Sequence, residues 1–120
     1  MSATAFDLEK LEAKAAEVAG ILRALSNERR LIILCRLVES GEATAGALAV
    51  AVGLSPPALS QHLARMRAEG LVAFRREGQT LWYRIADPRL ERLFATLHQE
   101  FCAPDRFPGS EADNPDFPKE

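Results

Sequence analysis

The chain has 120 residues, of which 48% are apolar and 27% are charged, and its formal net charge is −2. This length suits one domain with a modest core, and no stretch holds the roughly 20 apolar residues that a membrane-spanning helix needs. The N-terminus lacks the basic start and apolar block of a secretory signal, so we expect a cytoplasmic protein without membrane contact.

A first helix is predicted from a seam of apolar residues that recur at steps of three and four. The seam consists of Leu8, Leu11, Ala15, Val18, Leu22 and Leu25. It is narrow, which is typical of a helix that packs against a partner helix. Ser26 is predicted to cap a second helix, which contains "RLIILCRLVES" and ends at Gly41. Because this helix is apolar on nearly all sides, we expect it to be the buried centre of the domain.

Two short helices joined by a tight turn follow. Thr44 is predicted to cap the third helix, "AGALAVAV", which ends at Gly53. Ser55 is predicted to cap the fourth, with Pro56 at the first helical position, where a missing N–H removes no hydrogen bond. The inner face of the fourth helix carries Leu59, Leu63 and Met66. A helix, a glycine-containing turn and a second capped helix form a helix-turn-helix.

The rest of the chain predicts a β-hairpin, a last helix and a tail. The segments "LVAFRR" and "TLWYRI" are predicted strands joined across Glu77-Gly78-Gln79. Asp87-Pro88 opens a last helix, whose apolar face consists of Leu90, Leu93, Phe94, Leu97 and Phe101. Residues 103–120 contain four prolines, and five acidic residues against two basic ones. We expect this acidic, Pro-rich tail to be disordered.

The predicted order α-α-α-α-β-β-α is mostly α with one β-hairpin. A hairpin wing that follows a helix-turn-helix makes a winged helix-turn-helix domain, here over residues 1–102. The first and last helices carry apolar stripes that so small a core would not cover fully. We therefore expect a symmetric homodimer joined through these two helices.

Double-stranded DNA is the predicted partner. Residues 55–84 hold five arginines against two glutamates, a local charge of +3. A recognition helix buries one face and offers polar or basic groups to bases and phosphates on the other. The candidate DNA-binding residues are Ser55, Ser60, Gln61, His62, Arg65, Arg75, Arg76, Gln79 and Thr80. The alternatives are an ordinary solvated surface and a winged helix that binds another protein.

The segments "LSQHLARMRAEGLV", "RREGQ" and "YR" closely resemble those of ArsR-type winged-helix repressors, and the resemblance extends over roughly residues 20 to 102. It implies a dimeric bacterial repressor that binds an inverted-repeat operator and leaves it when an inducer is sensed. No nucleophile–base set, phosphate-binding loop or pair of carboxylates at a meaningful spacing predicts an enzyme.

Metal sensing in this family uses a few recurrent sites. The site in the third helix needs cysteines around "TAGALAV", where the chain has none. The zinc site in the last helix resembles Asp-x-His followed by His-x-x-Glu. Here Arg89 and Phe101 stand where a histidine and a carboxylate are needed, so we expect no metal or other cofactor at these sites.

The two cysteines, Cys35 and Cys102, match in placement the sulfide- and persulfide-responsive branch of the family, which includes the biofilm-growth-associated repressors. The resemblance implies redox sensors that join in a disulfide or polysulfide bridge, with reactive sulfur species as the inducer. Two alternatives use the same thiols: a general oxidant that forms a plain disulfide, and a metal held together with His98. A third is that Cys35 is a buried residue that only packs.

Overall fold

The computed structural model describes residues 6–102, which form six helices and one three-stranded antiparallel sheet. The helices are α1 (Leu8–Ala13), α2 (Ala15–Leu25), α3 (Glu28–Ser40), α4 (Ala45–Val52), α5 (Pro56–Ala68) and α6 (Pro88–Cys102). The strands are β1 (Ala43–Thr44), β2 (Val72–Glu77) and β3 (Thr80–Ile85). The winged helix-turn-helix is confirmed, and the predicted tail lies outside the described residues. The chain divides into two compact units between Ala86 and Asp87.

The first predicted helix is two helices in the structure. They meet at Lys14, whose backbone leaves helical geometry with φ −101° and ψ 5°. The Lys14 N–H donates to the carbonyls of Lys10 and Leu11 at 3.2 and 3.0 Å, so the last turn of α1 is tightened. The apolar spacing runs on across this break, which is why the sequence predicts one helix.

The cap of α3 is Asn27 and not the predicted Ser26. Asn27 has extended backbone, with φ −151° and ψ 121°, and its side chain accepts a hydrogen bond from the Arg30 N–H at 3.1 Å. Ser26 Oγ instead donates back to the Arg23 carbonyl at 2.9 Å. A cap must lie in extended backbone one residue before the helix, and only Asn27 does so.

The core of the first unit lies between α3, α4 and α5. The most buried side chains on these three helices are Ile33, Leu34, Leu37, Leu48, Leu59, Leu63 and Met66, each no more than 2% exposed. Contrary to the prediction, α3 is not buried on nearly all sides, because Ile32 and Cys35 are exposed. One side of this central helix is therefore open in the single chain.

The helix-turn-helix forms through the predicted caps. Thr44 Oγ1 accepts from the Ala47 N–H at 3.1 Å, and Ser55 Oγ accepts from the Ala58 N–H at 3.3 Å. Gly53 ends α4 in the left-handed region at φ 71°, which glycine adopts without steric cost. The chain thereby reverses between α4 and α5 within three residues.

The sheet has the order β1-β3-β2, so β3 is the central strand. The hairpin of β2 and β3 was predicted, whereas β1 was not, because two residues carry no strand pattern. Strand residues alternate between faces, so the register separates Phe74 and Tyr83 on one face from Arg75 and Trp82 on the other. The ring centroids of Phe74 and Tyr83 lie 5.5 Å apart.

Helix α6 begins at the predicted Asp87-Pro88 step. Asp87 Oδ1 accepts from the Arg89 backbone N–H at 2.9 Å, and Asp87 Oδ2 lies 2.7 Å from the Arg89 guanidinium. Leu90 and Phe94 are buried, whereas Phe101 near the end of the helix is 69% exposed. None of the described helices is both long enough and apolar enough to cross a lipid bilayer.

Candidate nucleic-acid interface and cysteine sites

Helix α5 presents a polar face opposite its buried stripe. Leu59, Leu63 and Met66 are at most 1% exposed, which fixes the side of the helix that faces inward. Successive residues are rotated by about 100°, so Gln61 and Ala64 lie on the far side. The exposed residues of α5 include Ser60, Gln61, Ala64, Arg65, Arg67 and Ala68. This is the geometry that lets a helix enter the major groove of DNA.

One flank of α5 is held by Arg30, a buried arginine on α3 that the sequence analysis missed. Its Nη1 donates to the Ala24 carbonyl and to Glu69 Oε1, both at 3.1 Å. The end of α2 and the C-cap of α5 are thereby tied to the start of α3. Spacing held a signal for it, because Arg30 precedes Leu34 and Leu37 by four and seven positions and so shares their buried face.

His62 lies half-buried on this same flank of α5. Burial lowers the pKa of His62, and the nearby charges of Arg30, Arg65 and Arg29 lower it further. The imidazole is therefore neutral near pH 7. Arg29 Nη1 also donates to the Val52 carbonyl at 3.4 Å, which connects the start of α3 to the end of α4.

The other flank of α5 contacts the wing. The Arg67 guanidinium lies over the Phe74 ring, 4.4 Å from its centroid. This contact joins α5 to β2. Arg76, Gln79 and Thr80 are exposed towards the tip of the hairpin. The structure thus joins helix α5, which carries some of the predicted residues, to strand β2 of the wing, which carries others.

Arg75, a predicted DNA contact, is engaged by a carboxylate in the structure. Its Nε lies 2.8 Å from Glu42 Oε2 and its Nη2 lies 3.0 Å from Glu42 Oε1. This two-point hydrogen bonding is the main cause that lowers the pKa of Glu42 and raises that of Arg75. Sequence reasoning missed Glu42 because 33 residues separate the two partners.

Both candidate sensor cysteines are exposed. Cys35 lies on the open side of α3 near Ile32, so it is not buried within the single chain. Cys102 is the last residue of α6, in the second unit. His98, the third ligand of the alternative metal site, is also exposed on α6. Within each unit, the described His, Cys, Asp and Glu residues form no group of three that could hold a metal ion.

The apolar seam of α1 and α2 is largely uncovered. Leu8 is 57% exposed, Leu11 is 43% exposed and Leu22 is 53% exposed, whereas Leu25 is buried. Burying such side chains is favourable, so exposed leucines along one predicted seam mark a surface suited to a partner.

The sequence model of the family described as "Bacterial regulatory protein, arsR family" matches residues 27–73 of this chain. The chain is 43% identical over 96 residues to the HTH-type transcriptional regulator YgaV of Escherichia coli strain K12, an alignment that covers 80% of this chain and 97% of that protein.

Two solved structures are similar in fold. The crystal structure of the transcriptional repressor BigR from Xylella fastidiosa has a TM-score of 0.75 and 37% identity, over 82% of this chain and 99% of that one. The solution structure of the homodimeric winged helix-turn-helix DNA-binding domain Mb0332 from Mycobacterium bovis has a TM-score of 0.61 and 36% identity, over 82% of this chain and 87% of that one.

Proposed function

The chain belongs to the arsR family of bacterial regulatory proteins, and from that premise we propose that it is a dimeric transcriptional repressor whose two cysteines sense sulfide-derived persulfides. The observation that carries the DNA-binding part is the capped helix α5, which buries one face and exposes a polar face beside a basic wing. The sensing part is supported by the exposure of both thiols and by the similarity to BigR.

Helix α5 is proposed to lie in the major groove of the operator. Gln61, on the outer face, suits a bidentate contact with adenine, and Arg65 suits guanine or a phosphate. The further proposed contacts are Ser55, Ser60 and His62 on the helix, and Arg76, Gln79 and Thr80 on the wing. Arg75 is left out of this set because Glu42 already engages its guanidinium at two points. Since the partner is the chromosome, the protein is proposed to act in the bacterial cytoplasm.

Dimerisation is proposed to bury the seam of α1 and α2 together with the apolar face of α6. The exposed Leu8, Leu11 and Leu22 support this, as does the homodimeric state of the related domain Mb0332. A two-fold axis would set two α5 helices about 34 Å apart, one turn of DNA, which suits an inverted repeat.

The proposed sensing chemistry is thiol–persulfide exchange. A cysteine thiolate attacks the outer sulfur of a persulfide R–S–SH, which yields protein Cys–S–SH and releases R–S⁻. The second thiolate then attacks the inner sulfur and expels HS⁻, which leaves a disulfide. If both cysteines carry persulfides, the terminal sulfur of one attacks the inner sulfur of the other. This attack expels HS⁻ and leaves a trisulfide. A bridge with extra sulfur spans a wider gap than the roughly 7 Å between Cα atoms that a plain disulfide allows.

Release of DNA is proposed to follow from joining α3 to α6. A bridge between Cys35 and Cys102 would connect the helix that supports α5 to a helix of the proposed dimer seam, and so alter the spacing of the two α5 helices. Couplings of this kind are typically about 1–3 kcal/mol, which would lower operator affinity about 5- to 150-fold.

DNA binding is tested first, by titrating the full chain with duplex DNA at several salt concentrations. We expect the affinity to fall steeply with salt, because each phosphate neutralised releases counterions. Absent or salt-insensitive binding would favour the alternative of a protein-interaction winged helix.

Sensing is tested by the intact mass of reduced protein after exposure to glutathione persulfide, with a peroxide-treated sample alongside. We expect a gain of sulfur and a Cys35–Cys102 cross-link in the persulfide sample. The cross-link should be absent in Cys35→Ser and in Cys102→Ser, because the one remaining thiol can carry a persulfide but has no second cysteine to bridge to. Loss of two hydrogens under both treatments would favour a general oxidant sensor. Unmodified thiols with tight zinc or arsenite binding would favour a metal sensor.

A further inference from the structure

The wing carries two neighbouring arginines on opposite faces of its sheet. Neighbouring strand residues point to opposite sides, and the register sets Arg75 opposite Trp82 and Arg76 opposite Leu81. Arg76 therefore shares a face with Phe74, whose ring contacts both Tyr83 and the Arg67 guanidinium. The two arginine side chains therefore leave the sheet on opposite sides.

The charge of Arg75 is compensated within the fold. Glu42 engages it at two points, 2.8 and 3.0 Å, and Glu77 Oε1 lies 3.8 Å from its Nη1. Two-point pairs of this kind hold the guanidinium plane in one orientation. If Arg75 moved to a phosphate, the Glu42 carboxylate would be left beside the negative charge of the DNA, and the gain would be offset.

The Arg75 face of the sheet is also partly covered. Glu42 precedes β1, whose register sets Thr44 beside Trp82 and so brings the carboxylate to this face. The Arg75 guanidinium lies 5.6 Å from the centroid of the Trp82 ring. Trp82 Nε1 is buried and has no hydrogen-bond partner among the described residues, so the indole edge is shielded from solvent.

On the opposite face of the sheet, the charges of Arg67 and Arg76 are not compensated by carboxylates of the described residues. Both arginines are exposed, and within residues 6–102 neither one makes a salt bridge. Stacking on Phe74 at 4.4 Å restrains the Arg67 side chain while its N–H groups stay available. This face adjoins α5 through that contact, so it borders the groove that α5 is proposed to enter.

We infer that Arg67 and Arg76 form the phosphate-binding side of the wing, and that Glu42 is a positioning residue that holds Arg75 on the opposite face, out of contact with DNA. This inference rests on the proposed function. Arg67 becomes a DNA contact that the sequence analysis did not select, and Arg75 becomes part of the structure that supports the wing.

The test measures the slope of log affinity against log salt for the full chain on a mixed-sequence duplex of about 30 base pairs, which accommodates two half-sites. One phosphate contact contributes about 0.9 to the slope. We expect Arg67→Gln and Arg76→Gln each to reduce its magnitude by about 0.9 per protomer, and Arg67→Lys and Arg76→Lys to restore it. Arg75→Gln should leave the slope unchanged.

Glu42→Gln should release Arg75 and so increase the magnitude of the slope by about 0.9 per protomer. The double variant Glu42→Gln/Arg75→Gln should return the slope to the wild-type value. Glu39→Gln is the matched control, because it removes the same negative charge from an exposed side chain on α3. Glu39 Oε1 lies 3.8 Å from Arg36 Nη1, too far for a hydrogen bond. Fluorescence of Trp82, the one tryptophan in the sequence, should change in Arg75→Gln and not in Arg76→Gln.

Three outcomes would overturn the inference. They are a slope of smaller magnitude in Arg75→Gln, an unchanged slope in Arg67→Gln and Arg76→Gln, or equal slopes in Glu42→Gln and Glu39→Gln. The wild-type titration separates these from a failure of the proposed function. A wild-type protein that binds the duplex without salt dependence contradicts the proposed function, and the inference with it.

Discussion

Arg30 is a cation buried to 92% whose Nη1 reaches two partners, the Ala24 carbonyl and the Glu69 carboxylate. A buried charge is tolerated when it is paired and hydrogen-bonded, and this one is both. Its position also affects a neighbour, since the charge of Arg30 is among the causes that hold the pKa of His62 down. Arg30 thus supports α5 and, after burial, contributes to the lowered pKa of one of its side chains.

A prediction at this scale concerns the pH dependence of stability. The folded pKa of His62 lies below its ordinary value of 6.5, through burial first and then through Arg30, Arg65 and Arg29. As pH falls, the unfolded chain takes up this proton before the folded chain does. The free energy of unfolding is therefore expected to decrease below about pH 6.5, and His62→Gln should lessen that decrease.

Urea denaturation at about pH 7.5 and pH 5.5, on either side of the ordinary histidine pKa, measures this difference. His98→Gln is the matched control, because His98 is exposed on α6. It should keep the wild-type loss of stability. Equal losses in wild type and His62→Gln would contradict the prediction.

At the scale of elements, the helix-turn-helix is assembled from short-range hydrogen bonds and one special backbone position. The caps Thr44 and Ser55 each bond an N–H three residues ahead. Gly53 supplies the left-handed conformation between the two helices. Because each of these features lies within a few residues, α4 was predicted with the correct boundaries and α5 with the correct start.

Two glycines separate the effect of backbone conformation from that of packing. A Cβ added at Gly46 or at Gly53 would meet nothing within 4 Å, but only Gly53 has a positive φ, at 71°. We expect Gly46→Ala, within α4, to raise the free energy of unfolding by about 0.5 kcal/mol. Gly53→Ala should lower it by about 1–2 kcal/mol, and Gly53→Asn by less. Urea denaturation checks this, and equal effects of the two alanine variants would refute it.

At the scale of the whole molecule, exposed apolar surface and charge are both unevenly distributed. The large exposed apolar side chains of the described residues are Phe6, Leu8, Leu11, Leu22, Ile32, Val50 and Phe101. Four of these seven lie on α1, α2 and α6, the helices proposed to form the dimer, whereas Phe6 precedes α1, Ile32 lies on α3 and Val50 lies on α4. Residues 55–84 carry five arginines against two glutamates, a local charge of +3, in a chain of net charge −2.

Leu22→Glu tests the proposed dimer, with Val50→Glu as its control. Leu22 is 53% exposed within the predicted seam, and Val50 is 84% exposed outside it. Burying a fully exposed leucine contributes about 1.5–3 kcal/mol, and about half of Leu22 remains to be buried. Since two-fold symmetry counts the residue twice, Leu22→Glu should weaken dimerisation at least about 10-fold. Light scattering during size-exclusion chromatography should find a monomer for Leu22→Glu and a dimer for Val50→Glu. A dimeric Leu22→Glu would place the interface elsewhere.

Much of this fold was present in local sequence patterns. The caps at Thr44 and Ser55, the turn at Gly53 and the hairpin at Gly78 each depend on neighbours a few positions away, which the sequence displays directly. The same holds for the polar face of α5, because helical periodicity alone separates it from the buried stripe.

The tertiary structure alone decided which distant residues meet and which surfaces stay open. Arg30 and Glu69 are 39 positions apart, and Glu42 and Arg75 are 33 apart, so neither pair leaves a periodic trace in the sequence. Exposure of Cys35 was equally hidden, since it depends on which elements pack against α3. Local hydrogen bonding and periodicity are encoded within about one helical turn, whereas long-range ion pairs and exposure arise only when separate elements pack together.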